Sequence, residues 1–167
     1  MKPIKVHPIL PHPALPEADW ADCYQLRVND PDLTAIDAAR LMLGHFPPRV
    51  RVPMTIRNKV VAPFGIKSSA SHSPDDMEMI GVFPIVSQSA HQVVLGFDDR
   101  HLDFRAVIDI HDDSGQRLVS AMTLVKRNIL FGKLYLAAIT PFHNLIVSTL
   151  LANVNRPSAA VSRPPLR

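Results

Sequence analysis

Cysteine occurs once in these 167 residues, at Cys23, so no disulfide can form within the chain. None is needed: folding at this length buries about 70% of the unfolded surface and suits a single domain. A lone thiol fits a reducing, cytoplasmic setting. With no partner pattern around it, Cys23 reads as a small core residue and not as a nucleophile. Uninterrupted apolar runs are scarce as well. The first twenty residues, MKPIKVHPILPHPALPEADW, are broken by Pro3, Pro8, Pro11, Pro13 and Pro16. They do not read as a signal peptide, and residues 1–18 are expected to form an extended arm along the domain. Residues 134–151 alone reach membrane-spanning length. Thr140, Pro141, His143, Asn144, Ser148 and Thr149 fall inside that stretch and argue against an integral span.

Acids are missing from two long segments. Residues 41–74 hold Arg49, Arg51, Arg57, Lys59 and Lys67 with no Asp or Glu. Residues 114–167 hold Arg117, Lys126, Arg127, Lys133, Arg156, Arg163 and Arg167, again with none. Such a distribution suits a basic surface for an anionic ligand, a lipid headgroup or nucleic acid. It equally suits basic segments that pair with an acidic sheet face. The second is preferred, and no nucleic-acid partner is expected, because no cluster reaches polybasic density.

Motifs with a known mechanism are absent too: no G-x-G-x-x-G, P-loop, H-E-x-x-H or G-x-S-x-G occurs. His72, Asp75, Asp76 and Glu78 lie close together in SHSPDDME. Their spacing matches no metal-ligand pattern, so they read as a solvated loop, and neither a metal nor a cofactor is expected. No residue is nominated as catalytic.

What is present is a clear order of elements. Residues 19–28 read as a strand. A helix follows, capped either by Asp30 with Pro31 at its first position or by Thr34 with Asp37. Leu33, Ile36, Ala39 and Leu43 recur at helical spacing, and Gly44 ends it. Residues 50–61 suit a second helix and 67–74 a small-polar loop. Strands are expected at 77–86, with Pro84 at an edge or bulge, and at 91–97. Residues 101–111 alternate most clearly. Leu102, Phe104, Ala106, Ile108 and Ile110 face inward, and His101, Asp103, Arg105, Asp109 and His111 face water. A three-residue loop, Asp113-Ser114-Gly115, would pair Ile110 with Leu118, Ile108 with Ser120, Ala106 with Met122 and Phe104 with Leu124. A slip of one residue would invert that face.

Residues 129–154 then form an apolar helix. Lys133, Thr140, Asn144 and Ser148 make its narrow polar stripe, with Leu134, Ala138, Phe142 and Leu145 opposite. Pro141 is expected to kink this helix rather than end it. Residues 155–167 read as a loose tail. Helices and strands kept apart indicate an α+β domain over residues 19–154, in which an antiparallel sheet curves around the C-terminal helix.

The residues from Thr123 to Leu151 strengthen this picture. Thr123 and Val125, Gly132-Lys133 with Tyr135-Leu136, and Pro141-Phe142-His143 resemble the uncharacterised bacterial domain-of-unknown-function family 2867, as does RNKVVAPFGIK over residues 57–67. That family is similar to the START-like, helix-grip superfamily. The resemblance implies a cavity between sheet and helix for an apolar or amphipathic small molecule, and no agreed catalytic residues.

On this reading Phe104, Ala106 and Ile108 floor the cavity, joined by Met122 and Leu124 if the register is right. Tyr135 and Phe142 contribute from the helix, and His143 sits at the rim. His143 is either a ligand-facing donor or base, or a structural residue that bonds a carbonyl near Pro141 or is simply part-exposed. Three functions follow: a binding protein, a polyketide-cyclase-type enzyme using His143 or Tyr135, or an interaction module that dimerises through the apolar helix.

Overall fold

The computed structural model describes residues 2–44, 78–100 and 102–155, and for residues 130–136, 138, 139, 141 and 142 the backbone alone. The elements are β1 (Ile4–Val6), β2 (Trp20–Val28), α1 (Ala35–Leu43), β3 (Met79–Ile80), β4 (Phe83–Gln88), β5 (Gln92–Asp98), β6 (Leu102–Asp113), β7 (Gln116–Arg127) and α2 (Leu130–Ala152), with a 3-10 turn at Asn153–Asn155. The seven strands form one antiparallel sheet in the order β1-β2-β7-β6-β5-β4-β3. The fold is therefore α+β with an open sheet. The expected helix at 50–61, the loop at 67–74 and the tail beyond 155 lie outside the described residues.

One sheet face carries the main core. Tyr24, Leu26, Val28, Val93, Leu95, Ile108, Ile110, Val119 and Ala121 are buried there beneath Ala35, Ala38, Ala39 and Met42 of α1 and Leu150 and Leu151 of α2. Helix α1 begins where Thr34 accepts from the amide of Asp37 and donates to its carboxylate at 2.6 Å, so Thr34 and not Asp30 is the cap. Helix α2 continues through Pro141 without a break, so the chain does not reverse there.

Three expectations need correction. The β6–β7 loop has two residues, not three. Asp113 pairs with Gln116, and Ser114 (φ 52) and Gly115 (φ 80) are both left-handed. This is the geometry of a type I′ turn, whose twist matches that of its flanking strands. The register therefore moves by one: Phe104 faces Val125, Ala106 faces Thr123, Ile108 faces Ala121 and Ile110 faces Val119. Met122 and Leu124 consequently lie on the opposite face, where Leu124 is buried with Leu15, Val94 and Val107.

That opposite face is not simply wet, which is the second correction. Ala14, Leu15 and Ala18 of the N-terminal arm pack on it, and β1 extends the sheet edge. Arg105, expected in water, has a side chain only 12% exposed and donates to the carbonyls of Phe97 and Phe104 and to Asp98 at 2.6 Å. The single strand expected at 77–86 is instead a hairpin, β3–β4, because Gly81 (φ 62) turns the chain. A register irregularity follows between Ile85 and Ser87, close to Pro84.

The third concerns α2. Leu145 is 58% exposed, whereas Ile146, Val147, Leu150 and Leu151 pack on the core and Asn144 Oδ1 is buried. A helix apolar on most sides does not fix its own rotation by its polar stripe. The contacts of His143 described below tie it to the sheet. No helix among the described residues is long and apolar enough to cross a membrane.

The acid-free C-terminal segment pairs with acids from elsewhere. Arg117 meets Asp112 (3.4 Å), Lys126 meets Glu17, and Arg127 meets Asp19 (2.9 Å). Glu78, from the SHSPDDME stretch, bonds Arg40 at 3.3 Å; His72, Asp75 and Asp76 lie outside the described residues. Asp103 and Asp109 accept from Asn128 (3.0 Å) and Gln92 (2.8 Å), so this strand face pairs outward rather than forming an acid–base array.

Candidate functional site

In β2, alternation places Trp20, Asp22, Tyr24, Leu26 and Val28 on the helix-facing side. Asp22 is thus an acid in a run of inward apolar positions, and it is only 2% exposed. Its register partner Thr123 is 5% exposed. His143 descends from α2 onto this pair. Its Nε2 lies 3.3 Å from Oδ1 of Asp22 and 3.1 Å from Oγ1 of Thr123. A carboxylate accepts and does not donate, so the imidazole is the donor at Nε2. The ring of Trp20 meets that of His143 edge-on, with centroids 5.7 Å apart. The expected structural bond from His143 to a carbonyl near Pro141 is replaced by two side-chain partners on the sheet.

Burying a carboxylate is unfavourable unless its oxygens are bonded. Oδ1 of Asp22 has His143. Oδ2 is fully enclosed and has no hydrogen-bond partner among the described residues. Among the described residues no lysine or arginine pairs with Asp22.

The same sheet rows continue into apolar ground. Across β2, β7, β6 and β5, one row reads Asp22, Thr123, Ala106, Leu95, and the next reads Trp20, Val125, Phe104, Phe97. Phe104 stacks on Phe97 (5.6 Å) and on Phe83 of β4 (5.4 Å). Trp20, Phe83, Phe97, Phe104 and Ala106 are each only partly buried. A half-covered aromatic strip therefore runs beside a small residue and ends at buried Asp22 and Thr123 with part-buried His143.

Of the residues expected to form a cavity, Phe104, Ala106 and Ile108 share this face, and His143 closes it at the polar end. Ile108 is 2% exposed and belongs to the packed core. Met122 and Leu124 are on the other face, and the side chains of Tyr135 and Phe142 lie outside what is described. Sequence reasoning missed Trp20, Asp22 and Thr123. The alternation of β2 carried the signal, since an acid on the inward phase of a strand calls for a partner. A separate hollow of about 240 Å³ lies by the β6–β7 turn, lined by Val28, Asn29, Pro31, Asp112, Gly115, Gln116 and Arg117, away from these groups.

A family model described as Protein of unknown function (DUF2867) matches residues 14–150. No curated protein and no solved structure matches the chain.

Proposed function

We propose that this chain, which belongs to the DUF2867 family of proteins of unknown function, is a helix-grip, START-like binding protein for an apolar or amphipathic small molecule. The observation that supports this reading is the partly covered strip of Trp20, Phe104, Phe97 and Phe83 beside Ala106, with Asp22, Thr123 and His143 at one end. An apolar surface with a few convergent polar groups is the usual make-up of a ligand site. Apolar burial contributes roughly 25 cal/mol per Å² before association costs. Ala106 is a small, part-buried residue in this row, and a larger side chain in its place would project further from the sheet. Tyr135 and Phe142 are carried as further contacts from the C-terminal helix.

The test is native mass spectrometry of the purified protein for a retained small molecule, with thermal-shift titration of wild type and Ala106→Phe. The expected result is a ligand-induced rise in Tm that the substitution abolishes. Binding that survives Ala106→Phe, or none to any apolar probe, removes the proposal.

A further inference from the structure

We infer that the polar head of the ligand is a hydrogen-bond donor, an ammonium or a hydroxyl, accepted by Oδ2 of Asp22. The inference rests on the binding reading above and narrows its substrate class. Three observations carry it. Asp22 is 2% exposed, so its carboxylate has left bulk water. Oδ1 is held by His143 at 3.3 Å, whereas Oδ2 has no partner among the described residues. The residue shares its sheet face, one pairing away, with Trp20 and the aromatic strip.

A buried acceptor left without a donor is unfavourable, and such groups in folded proteins are ordinarily met by water or by a ligand. Oδ2 is covered by protein in this structure, so a donor head reaches it by displacing a covering side chain; it then satisfies the oxygen, and the aromatic strip takes the apolar body. A carboxylate head cannot do this. It brings a second acceptor against an oxygen that needs a donor. Fatty acids and other carboxylate amphiphiles are therefore selected against, and amines or alcohols with an aromatic body are selected for.

Trp20 is the only tryptophan in the chain and its ring touches His143, so its fluorescence reports on this place alone. Four probes with one apolar body separate the outcomes: 4-phenylbutylamine, 4-phenylbutanol, 4-phenylbutyrate and butylbenzene. Titrated into the 167-residue chain with excitation selective for tryptophan, the amine and the alcohol should change Trp20 emission saturably. The carboxylate should bind about tenfold more weakly or less, the difference one charge-assisted hydrogen bond makes. Asp22→Asn, whose amide can donate as well as accept, should remove the discrimination against the carboxylate; if that variant does not fold, the wild-type series alone decides. 4-Phenylbutyrate binding as tightly as the amine, or all four binding equally, overturns the donor-head inference while leaving the binding reading in place. No response to any of the four, butylbenzene included, overturns the binding reading itself.

Discussion

Cys23 and Asp22 are neighbours in β2 that point to opposite faces, and each shows what burial does to a titratable group. The Cys23 thiol is 2% exposed and its Sγ lies 3.2 Å from Oγ of Ser120. Burial pushes the thiol above its ordinary value of 9.0; the Ser120 hydrogen bond opposes this, and Asp22 and Asp109 add to it. Tyr24 moves the same way from 10.0, by burial first and Asp22 second. For both groups the folded state holds its proton longer than the unfolded chain. Their contribution to stability is complete below the unfolded values and is lost as pH rises through the folded ones. Melting temperature should therefore fall above about pH 9. In thermal melts from pH 7 to 11, Cys23→Ala should flatten the first part of that fall, and identical pH profiles for the two proteins would refute it. Asp22 was legible in the sequence only as a strand residue. Its distinguishing feature is the pairing with His143, 121 positions away, and a single sequence does not state a contact of that range.

At the scale of elements, faces were legible and register was not. The alternation of Leu102, Phe104, Ala106, Ile108 and Ile110 identified the helix-facing side of β6 correctly, because a side chain's side of a strand depends only on parity. Which residues of β7 join them depends on the number of residues in the turn. Asp113-Ser114-Gly115-Gln116 suits both a two-residue and a three-residue loop. The two-residue form exchanged Met122 and Leu124 for Ala121, Thr123 and Val125, and so brought Thr123 into the site. Parity also left Val107 unnoticed among polar neighbours, which is why the second face was expected to be wet. The turn itself gives a test. Ser114 holds φ 52 with a side chain that tolerates the left-handed region poorly, and asparagine is the favoured residue there before glycine. Ser114→Asn should stabilise by about 1 kcal/mol, a rise in Tm of about 2–4 °C for a chain of this size. An unchanged or lower Tm would mean that the turn does not hold the type I′ geometry on which the register depends.

For the whole molecule, the sheet carries helices on one face and residues 14–18 of the N-terminal arm on the other. The prolines raised the expectation of an arm, but its packing site was not legible, since Val94, Val107 and Leu124 come from three separate strands. Its two parts play different roles. Strand β1 pairs with the edge of β2 through Ile4, Lys5 and Val6, and Ile4 remains 59% exposed. Leu15, at 8% exposure, seals the second core, and Glu17 and Asp19 fasten the arm to Lys126 and Arg127. Removing residues 2–8 takes away an edge strand with little apolar burial. It should lower stability modestly and leave Trp20 emission unchanged. Removing residues 2–18 uncovers Val94, Val107 and Leu124 together. Each fully buried aliphatic side chain contributes about 1.5–3 kcal/mol, so the longer deletion should lose several times more than the shorter. It should also bind a dye that reports exposed apolar surface. Thermal melts of the two truncated proteins decide the matter. Equal losses would place the arm's contribution in the edge strand, and no loss in the longer deletion would show that the second core does not need its cover.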